Sequence, residues 1–229
     1  MSTVQMTSTI AVEPIRSLAS DQMVADAARV STLGERAAES DRPIAQLIRR
    51  LVADKHGSPL EHTYFCFRVH APLYVMTEHL RHRAGFSYNG ESGRYKTFEP
   101  VFYTPPPERG LTQTGKAMEY AIQPGTLEDR LRVETALEQS SEEAWKSYAW
   151  LIRNGIAREV ARQVLPTNLM TSYFVSCNAR SLMAFLALRG EGTHALWEIQ
   201  QVAAGYERAF AEQMPLTHAA FVAAGRIAP

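Results

Sequence analysis

From Thr126 to Asn154 the chain is rich in Glu, Leu, Ala and Arg at helical spacing. It reads as one long helix ended by Gly155. Against it stands Thr63 to His70, Thr-Tyr-Phe-Cys-Phe-Arg-Val-His, whose aromatic and β-branched residues suit a strand. A chain that holds both must lay helices on a sheet. No linker is long or polar enough to divide it, so the pattern predicts one α+β domain over residues 1–229, with 1–7 as a flexible lead.

The remaining elements fit that frame. Ser8 to Ser17 is β-branched and partly alternating, a strand. Asp21 to Val30 is a helix capped by Ser20 or Asp21. Asp41-Arg42-Pro43 opens a helix in which Ile44, Leu47, Ile48, Leu51 and Val52 recur at three and four. Pro72 starts another, whose C-terminal end delivers Glu78, Arg81, His82 and Arg83, and a Gly/Ser loop follows. Tyr95 to Tyr103 holds short strands before Pro105-Pro106-Pro107. Gly110 to Pro124 is an excursion. Ala157 to Val164 is a short helix stopped by Pro166. Asn168 to Cys177 suits a strand or a helix. Ala179 to Leu188 and His194 to Met214 are helices, and Pro215 opens a last one.

Charge excludes some classes of partner. The 229 residues carry 24 basic and 24 acidic side chains, so neither general nucleic-acid binding nor membrane-surface binding is expected. No apolar run approaches a bilayer span, and Met1 to Ser8 lacks the layout of a signal peptide. Cys66 and Cys177 sit in apolar runs and read as buried thiols of a reducing cytosol. A bridge between them stays open.

Four segments can carry chemistry. Arg81 to Tyr95 joins a basic helix end to a Gly/Ser loop, whose arginine forks and backbone N–H groups suit phosphate oxygens. A solvated basic loop capping a helix explains the same composition. His56-Gly57-Ser58-Pro59-Leu60-Glu61-His62 invites a metal, but Gly57 and Pro59 break the helical spacing that a zinc protease needs. A polar turn is the leading local reading. Arg158 and Arg162 share a helix face, with Glu159 adjacent. Asn178 caps a helix that ends in Arg189 beside Gly190. No nucleophile elbow, P-loop or dinucleotide fingerprint occurs.

Arg81-His82-Arg83, eight further residues and then Ser92-Gly93-Arg94-Tyr95 resemble the signature of the flavin-dependent thymidylate synthases. The turn His56 to His62, the blocks Arg158 to Pro166 and Asn178 to Leu182, and His194 with Trp197-Glu198-Ile199-Gln200 are similar to further segments of that family, in the same order. The resemblance implies an α+β domain of that family's type, with a mixed sheet and a helical layer. It implies assembly as a homotetramer with active sites shared between subunits. The implied reaction is reductive methylation at C5 of a uracil nucleotide. Methylenetetrahydrofolate gives the carbon, FAD the hydride, and NADPH reduces the flavin. No metal and no enzyme nucleophile on the pyrimidine are implied.

Residue by residue, the resemblance puts Ser58, Arg81, His82, Arg83, Asn178, Arg180, Ala184 and His194 at FAD. It puts Glu78, Arg81, Gly90, Glu91, Ser92, Gly93, Arg94, Arg162 and Arg189 at the nucleotide. Arg189 takes the chemical step, holding an electron-rich uracil ring at N3 and O2. Three positions depart from the family pattern. The signature loop is one residue longer than the commonest form, so Gly90 falls where an acidic residue is expected, unless Glu91 shifts into that role. Glu78 stands where Gln is usual, and Ala184 where a larger polar residue is common. An extra carboxylate can accept from a sugar hydroxyl, which leaves UMP open beside dUMP. A metal-dependent hydrolase using His56, Glu61, His62 and His82, and a non-catalytic nucleotide- or RNA-binding module, are the readings from other classes.

Overall fold

The computed structural model describes residues 3–39, 43–116 and 119–229. Met1 and Ser2 of the expected flexible lead, and Asp41 and Arg42 of the expected helix start, lie outside the described residues. In chain order the strands are β1 (Gln5–Thr7), β2 (Ala11–Leu18), β3 (Tyr64–Pro72), β4 (Phe86–Gly90), β5 (Val101–Tyr103), β6 (Thr112–Lys116), β7 (Glu119–Gln123) and β8 (Met170–Cys177). The helices are α1 (Asp21–Leu33), α2 (Ala45–Ala53), α3 (Leu73–His79), α4 (Leu127–Arg153), α5 (Arg158–Ala161), α6 (Ala179–Arg189), α7 (Trp197–Gln213) and α8 (Pro215–Ala223).

The chain packs into two compact units. The first comprises the chain up to Thr9 with residues 71–76 and 90–171. Its β1 and β5 run parallel, Met6 opposite Phe102, so Gln5–Thr7 belongs to a strand rather than to a flexible lead. The core joins Phe98, Phe102, Trp145, Tyr148, Ala161 and Leu169. Buried Asn168 donates from Nδ2 to the Tyr103 carbonyl at 3.1 Å and to Ser141 Oγ at 3.2 Å, which satisfies both of its amide N–H donors. The expected long helix is α4. Thr126 caps it, with Oγ1 accepting from Asp129 N–H at 3.1 Å and Thr126 N–H donating back to the Asp129 carboxylate. The Gly110 to Pro124 excursion contains the antiparallel hairpin β6–β7.

The second unit comprises residues 10–70, 77–89 and 172–229. Through it runs the sheet β2-β3-β8-β4, with β2 antiparallel to β3. Phe65, Phe67 and Val69 alternate into the core from β3, as do Tyr173, Val175 and Cys177 from β8. Leu182 and Phe185 of α6, Tyr206 and Phe210 of α7 and Phe221 of α8 are buried with them. The Phe67 and Tyr206 rings approach to 4.3 Å between centroids. Ser20 is the α1 cap, accepting from Met23 N–H at 3.2 Å.

Several boundaries differ from expectation for local reasons. Residues 158–164 divide into α5 and a 3₁₀ turn at Arg162–Val164, because Leu165 precedes Pro166 and takes an extended backbone. α7 begins at Trp197 rather than His194. Thr193 Oγ1 donates to Gly190 O at 2.8 Å and accepts from Ala195 N–H at 3.3 Å, a local turn that competes with helix. Residues 170–177, open between strand and helix on sequence, are β8. Cys177 is buried, Cys66 is half-buried rather than buried, and both thiols are free.

Candidate active site

In the second unit, α3 stops at His79, short of the expected delivery of Arg81 to Arg83 from a helix end. The chain turns and becomes β4, so Phe86–Gly90 is a strand where a Gly/Ser loop was expected. Phe86 and Tyr88 alternate along it, and the Tyr88 hydroxyl reaches the His79 and His82 carbonyls, each at 2.9 Å. Those contacts take carbonyls that a longer helix would have paired. Gly85 makes the turn at φ +68°, and a Cβ there would come within 2.1 Å of Ser181 Oγ.

The turn sets Arg81, His82 and Arg83 differently. Arg81 and Arg83 are exposed. His82 is half-buried against Phe185, their ring centroids 4.7 Å apart. Arg189, the last residue of α6, donates from Nε to His82 Nε2 at 3.1 Å, and its Nη1 lies 2.6 Å from Glu78 Oε1. Burial and Arg189 hold the His82 pKa below its ordinary 6.5, against the opposing pull of Glu78. A neutral ring that accepts at Nε2 carries its proton on Nδ1. Glu78, Arg189 and His82 therefore form one chain of contacts from three elements.

The second cluster of this unit surrounds the 3₁₀ turn Ser58–His62. Exposed Ser58 lines a cavity of about 380 Å³ with Arg29, Thr32, Arg50 and His56. Asp54 also lines it and pairs with Arg50 at 3.2 Å, and the hydroxyl, imidazole and guanidinium groups beside that carboxylate suit the phosphates of a dinucleotide such as FAD. Arg180 is paired with Glu61, and its Nε donates to the Pro229 carbonyl at 2.9 Å. It passes so close to Gly57 that a Cβ would lie 2.6 Å from its Nε. Asn178 caps α6 through Oδ1, 2.9 Å from Ser181 N–H. Ala184 and His194 are exposed. Glu61 thus faces an arginine, and no three His, Cys, Asp or Glu side chains converge among the described residues.

The first unit holds the remaining candidates. Ser92 opens a turn whose carbonyl accepts from Tyr95 N–H at 3.0 Å and Lys96 N–H at 3.2 Å. Ser92 Oγ accepts from Arg94 N–H at 3.3 Å. Gly90 ends β4, and Glu91 pairs with Lys96 at 3.1 Å. Arg94 Nε lies 3.1 Å from Glu159 Oε2, and its guanidinium stands over the Tyr95 ring. The stem of Arg162 runs against Gly93. Arg94 and Arg162 thereby stand together at the Ser92 turn, with Glu159 and Glu91 beside them.

The sequence reading missed Glu159 as the partner of Arg94, Tyr88 as the strut of the turn, and Arg29 and Arg50 beside Ser58. Tyr88 alone had a signal, its alternation with Phe86. Cys177 adds no nucleophile, because burial pushes its thiol pKa far up.

The first unit gathers Arg94 and Arg162 at the Ser92 turn, and the second joins Arg189 to His82 and Glu78, within a chain of the mixed α/β class. The family model for the thymidylate synthase complementing protein matches residues 15–216. The flavin-dependent thymidylate synthase of Streptomyces coelicolor is 44% identical over 236 aligned residues, covering 99% of this chain and 96% of the relative. That of Tropheryma whipplei is 43% identical over 232, covering 97% and 96%. Among solved structures, the UMP/dUMP methylase PolB from Streptomyces cacaoi bound with 5-Br UMP superposes with a TM-score of 0.93 at 39% identity, covering 100% of both chains. The same methylase bound with 5-Br dUMP superposes at 0.92. The chain belongs to the flavin-dependent thymidylate synthase family.

Proposed function

We propose that the protein methylates C5 of a uracil nucleotide, dUMP to dTMP, with methylenetetrahydrofolate as carbon donor and NADPH as reductant. The observation that carries this reading is the Arg189 guanidinium, anchored by His82 and Glu78 at the end of α6. Arg94, Arg162, Ser92 and the Gly90–Gly93 backbone take the nucleotide phosphate, with Arg81 and Glu91 beside it. Arg189 faces the uracil N3 and O2 and stabilises negative charge on the ring, which raises the nucleophilicity of C5 without an enzyme adduct. Loss of that contact costs on the order of 3 kcal/mol in the transition state.

FAD, when bound, supplies the hydride. The Ser58 cavity and the Gly57–Arg180 contact fit its phosphates, with His82, Arg83, Asn178, Ala184 and His194 flanking it. Arg180, now shared between Glu61 and the Pro229 carbonyl, exchanges those acceptors for a phosphate oxygen. The whole chain acts as one catalytic domain in the cytoplasm, in a homotetramer whose subunits complete one another's sites.

A second reading, methylation of UMP as well as dUMP, is supported by chain-long similarity to a UMP/dUMP methylase and by Glu78. Tritium release from C5-labelled dUMP and UMP, with FAD, NADPH and methylenetetrahydrofolate, tests both. Release from dUMP alone fits the first reading, and comparable release from UMP the second. No release from either, in protein that binds no flavin, overturns both.

A further inference from the structure

Arg180, in the first turn of α6, has two acceptors: its Nη1 pairs with Glu61, and its Nε donates to the Pro229 carbonyl at 2.9 Å. Glu61 belongs to the Ser58–His62 turn. Pro229 belongs to the segment 224–229 that follows α8, and that segment is anchored at Arg226. Arg226 lays its guanidinium fork on Glu207 of α7, Nη1 to Oε2 at 3.0 Å and Nη2 to Oε1 at 2.5 Å. His218 of α8 meets the same Oε1 at 2.8 Å. The fork also stands over the Phe221 ring, 5.8 Å from its centroid, and lies beside Gly190. The segment therefore touches α6 at both ends.

The backbone shows how firm the anchor is. Arg226 has φ +60°, a left-handed conformation that a residue with a Cβ seldom adopts. Its N–H donates to the Phe221 carbonyl at 3.0 Å, and its fork is closed on Glu207. Such strain persists only where the surroundings over-determine it. Beyond Arg226 the hold is slight. Ile227 is 55% exposed, and at the far contact Arg180 and Glu61 are each 45% exposed, against 17% for Glu207. The segment is fixed at Arg226 and opens at Pro229.

We propose that residues 227–229 are a strap, hinged at the Arg226–Glu207 clasp, that competes with a flavin phosphate for Arg180 and so lowers the affinity for FAD. This rests on the reading that Arg180 meets the flavin. The Pro229 carbonyl is a neutral acceptor and a phosphate oxygen an anionic one, so the phosphate wins the exchange. The strap must leave first, and the apparent affinity is reduced to the fraction of the protein in which Nε is already free. The competing acceptor is backbone, so the effect depends on where the chain is held and not on a side chain of the strap.

The test is a fluorescence titration of the stripped protein with FAD. The proteins compared are wild type, a variant lacking residues 227–229, R226G, and R180Q with and without the deletion. Deletion is expected to lower the Kd about three- to tenfold. R226G removes the fork while glycine keeps the φ of that position, and is expected to lower the Kd about two- to threefold. In R180Q the deletion is expected to change nothing, because the two changes act on one contact. Unchanged or weaker binding on deletion, with R180Q still weaker than wild type, overturns the strap and leaves the flavin reading standing. Equal tightening in wild type and R180Q puts the effect elsewhere and overturns it too. If R180Q binds FAD as wild type does, the reading of Arg180 fails and the strap with it. Should the deletion variant not fold, an R226G Kd equal to or above that of wild type overturns the inference by itself.

Discussion

Arg94 and Glu159, far apart in sequence, meet at 3.1 Å between Nε and Oε2 in the first unit. Both side chains are more than half exposed, so the pair adds under about 1 kcal/mol to stability. Under the proposed function its consequence falls on ligand binding, because Glu159 holds the arginine assigned to the phosphate and would also repel that phosphate. Glu159→Gln is expected to leave the urea midpoint nearly unchanged and to tighten nucleotide binding about two- to fivefold by calorimetry. Arg94→Ala weakens it by about tenfold or more. Weaker binding in Glu159→Gln would show that orienting Arg94 outweighs repelling the phosphate.

His79 makes the second unit acid-sensitive. It is fully buried, and burial, then His82 and Arg189, lower its pKa from 6.5 to about 3. Below about pH 6.5 the unfolded chain takes up a proton that the native state refuses until about pH 3. Stability is therefore full above pH 6.5 and is lost as pH falls, by about 1.4 kcal/mol per unit, or roughly 2–3 kcal/mol at pH 4.5. His82, lowered in the same direction, adds to the slope. His79→Phe is expected to flatten the curve. It costs about 1 kcal/mol at pH 8, because the Tyr173 hydroxyl loses its 3.2 Å partner Nδ1. Denaturant midpoints from pH 4.5 to 8 check this, and parallel curves would refute it.

Gly57 is held to glycine by a neighbour rather than by its own backbone, whose φ is −83°. Alanine there must push Arg180 away from Glu61 and the Pro229 carbonyl. Gly57→Ala is expected to weaken FAD binding about tenfold while costing less than about 1 kcal/mol of stability, because Arg180 is half exposed. Fluorescence titration of FAD against the stripped protein reads the affinity, and unchanged binding would remove Arg180 from the flavin site.

Tyr88 uses one hydroxyl to hold two carbonyls, those of His79 and His82. Tyr88→Phe keeps the ring stacked near Phe86, at 6.0 Å and 13°, and loses only the bonds. About 1–2 kcal/mol of stability is expected to go, with kcat falling more than KM rises as the Arg81–Arg83 turn loosens. A stability loss with kcat unchanged would make Tyr88 a strut of the fold alone.

Much of this was legible in the chain itself. α4, the Ser20 and Asn178 caps and the strand character of β3 follow from interactions spanning a few residues, which a linear pattern records. The signature Arg81-His82-Arg83 to Ser92-Gly93-Arg94, with the blocks around Arg162 and Asn178, identified the family, because chemistry at a shared site constrains residue type and order. Where tertiary contacts compete, the pattern misled. Phe86–Gly90 looks like a Gly/Ser loop until β8 is beside it, and β8 itself suited helix or strand equally.

Pairings were beyond the sequence altogether. Nothing in the spacing of Glu78, His82 and Arg189 says that α6 ends where α3 ends, or that a carboxylate standing in an unusual place has become the partner of the arginine expected to do the chemistry. Local periodicity and residue chemistry determined the helices, their caps and the inventory of the site. Only folding decided which charge faces which, because Coulomb and hydrogen-bond energies depend on distances that sequence separation does not encode.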